Sequence, residues 1–106
     1  MPKYLFHGSF TSDGVQGILK DGGSRRRAVV EQMIQGMGGT LEAFYFAFGE
    51  SDVFVIVDLP DNVSTAAISL AIGAAGAFRP STTVLLTPEE MDQATQKTVN
   101  YSPPGQ

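Results

Sequence analysis

Cysteine and tryptophan are absent from this chain of 106 residues, histidine occurs once, and only 17% of the residues are charged. Without thiols there is neither a disulfide framework nor a thiolate metal site, and one histidine leaves scattered carboxylates without ligand spacing. No metal and no cofactor is therefore expected. Basic residues are scarce as well: seven Lys and Arg against eleven Asp and Glu give a net charge of −4 and a pI near 4.7. Nucleic acid and anionic membranes need clustered cations to neutralise phosphates, so neither is expected as a partner. Long apolar runs are missing too. The longest uncharged stretch, Asn62 to Phe78, falls short of the roughly 18 to 20 apolar residues that span hydrocarbon, is rich in Ala and Gly, and reads as a buried helix. No charged-then-apolar leader opens the chain, and with no cysteine the expected location is cytoplasmic.

The glycine runs Gly22-Gly23 and Gly36-Met37-Gly38-Gly39 lack the Lys-Ser/Thr pair of a phosphate-binding loop and do not form the dinucleotide fingerprint after a strand, which excludes nucleotide binding by those devices. No Gly-x-Ser-x-Gly elbow or Ser-His-Asp arrangement is visible.

What is present is apolar. Hydrophobic residues make up 42% of the chain, enough for one core at this length, so residues 1–106 read as one domain with 98–106 as a tail. Lys3 to Phe10 reads as a first strand ending at Thr11-Ser12-Asp13-Gly14, a helix start. From Val15 to Met37 the apolar spacing is helical but broken at Gly22-Gly23, which predicts two helices, the second capped by Ser24. Thr40 to Phe48 and Val53 to Leu59 are β-prone and joined by Gly49-Glu50-Ser51-Asp52, a hairpin. Pairing Phe48 with Val53 places Phe44, Phe46, Phe48, Val53, Val55 and Val57 on one face and Ala43, Tyr45, Ala47, Phe54 and Ile56 on the other. Asp61 or Asn62 starts a helix to about Ala77, Arg79 to Leu86 a fourth strand, and Thr87-Pro88-Glu89-Glu90 carries a capping box for a short last helix.

The resulting class is α+β: a ferredoxin-like split βαββαβ unit with a four-stranded antiparallel sheet and a short C-terminal helix. Helices on one face leave the other apolar face of the hairpin uncovered. Burying about 500 Å² of it at about 25 cal/mol per Å² would favour association by roughly 10 kcal/mol before entropic costs, so a face-to-face homodimer is expected.

Met1-Pro2-Lys3-Tyr4 at the first strand, the Gly49 to Asp52 hairpin, the strand exit Val57-Asp58-Leu59-Pro60-Asp61 and Thr83-Val84-Leu85-Leu86-Thr87 near the end resemble the GYD-domain family over almost the whole chain. Of the glycine, tyrosine and aspartate that name it, Gly49 and Asp52 match and Ser51 stands where the tyrosine would be. The resemblance implies a bacterial protein of the dimeric α+β barrel superfamily, whose members include cofactor-free monooxygenases, isomerases, haem enzymes and ligand-sensing modules.

Five residues are candidates for chemistry. His7, in the first strand, could act as a general base or simply be a hydrogen-bonded strand residue. Asp52 could orient it or cap the hairpin backbone. Tyr45 and Phe54 could line a substrate site or pack, and Arg79 could grip a carboxylate or form a surface ion pair. Arg25, Arg26 and Arg27 fan around a helix axis and read as a solvated face. The leading expectation is a homodimer, or a higher oligomer, binding a small, partly apolar metabolite between sheet and helices, lined by some of His7, Tyr45, Phe54 and Arg79. The rivals are a cofactor-free monooxygenase or isomerase with His7 as base, which requires a cavity at His7 beside a second polar group, and a structural assembly module, which requires none.

Overall fold

The computed structural model describes every residue from Met1 to Gln106. Its elements run β1 (Lys3–Phe10), α1 (Ser12–Asp21), α2 (Gly23–Gly36), β2 (Thr40–Phe46), β3 (Val53–Asp58), α3 (Asn62–Ala75), β4 (Phe78–Leu85) and α4 (Pro88–Thr95). The strands form one antiparallel sheet in the order β2-β3-β1-β4, which leaves β2 and β4 as edges. The chain is thus α+β, an open four-stranded sheet with four helices.

Alternation along the strands builds the core. Val53, Val55 and Val57 of β3 and Tyr4 and Phe6 of β1 point to one side, where they meet Ile34 of α2 and Ile68 of α3. The buried Tyr4 hydroxyl donates to Asn62 Oδ1 at 2.6 Å, so no polar group is left unmatched there. Pro80 is accommodated because β4 is an edge strand, bonded only to β1.

The β2–β3 hairpin departs from the expected pairing in two ways. Phe46, not Phe48, pairs with Val53, and the loop closes through the Ala47 N–H donating to the Asp52 carbonyl at 2.8 Å. A shift of two residues keeps the strand side chains on their expected faces. Ala47 and Phe48 leave the strand, and Phe48 stands fully exposed. The register also slips between Leu41, opposite Val57, and Ala43, opposite Ile56. The extra residue, Glu42, reverses the alternation, so that Leu41 and Phe44 both face the helices.

Thr11 caps α1, accepting from the Gly14 N–H, and its own N–H and hydroxyl donate to Ala77 O and Gly76 O. Gly22, at φ +82°, ends α1 and starts α2 with no side-chain cap. Ser24, the expected cap, lies inside the first turn of α2, because the tight reversal between the helices needs a positive φ and therefore glycine.

The uncharged stretch is helical to Ala75, but only Thr65 and Ile68 of α3 are buried; Val63 and Leu70 face out. The expectation of a buried helix is corrected: a helix laid on the outside of a sheet buries one stripe. No helix is long and apolar enough to cross a membrane.

The α4 helix has the expected capping box, Thr87 accepting from the Glu90 N–H and Glu90 accepting from the Thr87 N–H. Every residue from Pro88 to Gln106 is exposed. The radius of gyration, 16.9 Å, exceeds the about 13 Å of a compact chain of this length, consistent with this segment standing off the body.

Candidate functional site

The two faces of the sheet offer different chemistry. On the face away from the helices, one cross-strand row reads Tyr45, Phe54, His7 and Ser81, and the next Ala43, Ile56, Leu5 and Thr83. His7 stacks on Phe54 with ring centroids 5.7 Å apart and planes 12° from parallel. Across the hairpin loop, His7 Nδ1 and Ser51 Oγ are hydrogen-bonded at 2.9 Å. The patch is apolar at its centre, with Tyr45 72% and Phe54 40% exposed. At its far end Lys3 bonds Glu42 at 2.5 Å and Asp58 at 2.9 Å, and those bonds, Glu42 first, raise the Lys3 pKa above its ordinary value.

The structure thus brings His7, Tyr45 and Phe54 together and puts Arg79 in the adjoining row, opposite Ser9. It does not put them between sheet and helices. Phe54 lies between the inward-pointing Val53 and Val55, and His7 between Phe6 and Gly8, so the pleat turns both outward. The expected lining of the internal pocket is corrected accordingly. Arg79 forms no ion pair.

Asp52 sits at the end of the sheet, where its Oδ2 accepts from the Phe10 N–H at 2.9 Å and its own N–H donates to Gly8 O at 2.7 Å. It makes no hydrogen bond or ion pair with His7, whose side-chain hydrogen-bond partner is Ser51. No three of His, Asp and Glu stand close enough to hold a metal ion.

On the helix side there is a cavity of about 50 Å³ under α2 and α3, lined by eleven residues of which ten are hydrophobic, among them Phe6, Phe10, Phe44, Val55 and Ile72. The eleventh is Arg26. Beside it, at the end of the sheet, lies an open groove formed by Phe10, Val15, Ile18, Phe46, Phe48 and Asp52. Phe10 borders both spaces, its ring 6.5 Å from that of Phe46.

Arg26 is the residue that the sequence reading placed elsewhere. The three arginines do fan around α2: Arg25 is exposed, Arg27 is exposed and reaches Glu31 at 3.5 Å, and Arg26, half-buried, turns to the cavity. Its position one turn before the partly buried Val30 carried the signal.

A family model, that of the GYD domain, matches residues 4–95. No curated protein and no solved structure matches the chain.

Proposed function

The chain belongs to the GYD domain family, and from that premise we propose that it is a homodimeric binding protein for a small, partly apolar metabolite held between sheet and helices. The observation that carries the reading is the apolar cavity beneath α2 and α3, with a single polar wall residue. Melting-temperature screening against small acids, alcohols, ketones and phenols tests it. A ligand at a hundredfold its Kd stabilises by about 2.7 kcal/mol, a shift easily read in a chain of this size. No shift with any of them would contradict the reading.

The dimer is inferred from the uncovered face. In a ferredoxin-like protomer with all packed helices on one side, Leu5, Tyr45, Phe54 and Ile56 have no cover of their own. A second copy offers the same strip about a twofold axis and closes a dimeric α+β barrel. The α4 helix supports this, because eight residues are too few for a stable helix in water without packing, and none of them is buried by its own chain. A bacterial, cytoplasmic setting belongs to the same reading.

One observation favours a second reading, a cofactor-free oxygenase or isomerase. His7 has a hydrogen-bonded partner, Ser51, and pairing of the sheets would enclose it. Within one protomer, however, the cavity and groove do not reach His7. The assembly-module reading requires a solid interior, and the cavity counts against it.

A further inference from the structure

We infer that the ligand of the cavity is a short-chain monocarboxylate, its chain between sheet and helices and its carboxylate on Arg26. This deepens the binding reading above and rests on it.

The argument begins with charge. Arg26 is half-buried and is absent from all three ion pairs of the molecule. A guanidinium at the wall of an apolar space is satisfied by an anion, and a carboxylate matches its planar fork with two parallel bonds. A neutral apolar ligand would leave it unmatched, and an amine would be repelled. Asp13 and Asp21 line a neighbouring groove with Arg26 but form no ion pair with it. They leave its donors free.

Size and lining limit the chain. A space of about 50 Å³ is small and suits a short chain rather than a long or branched one. The other ten lining residues are hydrophobic and offer no polar side chain, which disfavours a second charged end such as that of a dicarboxylate.

Isothermal titration of the full chain with pentanoate, 1-pentanol and pentylamine, which share one chain and differ in the head, tests the inference. Pentanoate is expected to bind at least tenfold more tightly than pentanol, and pentylamine not at all. Arg26→Gln should weaken pentanoate at least tenfold and leave pentanol unchanged, whereas Arg25→Gln, with the same loss of charge on an exposed position, should bind pentanoate as the parent does. Val30→Phe, which fills the cavity, should abolish both. Pentanol binding as well as pentanoate, or Arg25→Gln weakening pentanoate as much as Arg26→Gln, would overturn the carboxylate while the cavity reading stands. No binding of any of the three at millimolar concentration would overturn both.

Discussion

The hydroxyl of Ser51 and Nδ1 of His7 stand 2.9 Å apart across the end of the β1–β3 pair, and the imidazole is held between that bond and the face of Phe54. On the binding reading the pair is structural. Ser51→Ala should cost about 0.5 to 1.5 kcal/mol in chemical denaturation, the usual net value of such a bond, and leave pentanoate affinity unchanged. Loss of ligand binding in His7→Ala or Ser51→Ala would move the site to the open face of the sheet.

Two glycines of α1 should respond in opposite ways to the same substitution. A Cβ on Gly14 would stand 2.0 Å from the carbonyl oxygen of Ala77, whereas one on Gly17 meets nothing within 4 Å. Helix propensity favours alanine at both by about 1 kcal/mol. Gly17→Ala should therefore stabilise by about 0.5 to 1 kcal/mol. Gly14→Ala should destabilise by about 1 to 3 kcal/mol, as an overpacked site against backbone does. Urea midpoints of the two variants check this directly.

Acid should loosen the start of α3. The Asp61 carboxylate accepts from the Ser64 N–H at 2.7 Å, and that bond holds its pKa below the ordinary 3.8. A depressed folded pKa means that the contribution is present above the unfolded value and is lost as pH falls through the folded one. Asp61→Asn, which keeps a cap but does not titrate, should match the parent near neutrality and lose less stability on acidification. Melting temperatures from about pH 7 to about pH 2 decide the point; parallel curves for the two proteins would contradict it.

The order of elements was legible because its signals are local. The Thr87 to Glu90 capping box, the period-two alternation around Val53, Val55 and Val57, and the glycines between α1 and α2 each specify their element without reference to distant residues. The register of β2 was not, because the bulge at Glu42 is a relation between two strands, and strict alternation from Phe44 turns Leu41 the wrong way. The candidate site was read with its faces exchanged. Alternation sets Tyr45 and Phe54 opposite Val53 but does not say which of the two apolar faces receives the helices, and it is the Val53 face that does. Arg26 reads as solvated because three consecutive arginines fan out, and which of them turns inward depends on how α2 rolls against β2.

The C-terminal arm should matter to assembly and not to the fold of the body. Removing residues 88–106, none of which is buried, should leave the melting temperature of the remaining chain within about two degrees at high protein concentration while raising the dimer dissociation constant. Sedimentation across a dilution series reads both species. An unchanged dissociation constant would show that α4 lies outside the interface.

The central claim is that a second copy covers the face bearing Leu5, Tyr45, Phe54 and Ile56. Light scattering of the purified chain at micromolar concentration tests it, beside Ile56→Asp, which puts a charge in the middle of that face. The account predicts twice 11.3 kDa for the parent and 11.3 kDa for the variant. A parent chain that stays at 11.3 kDa would contradict it.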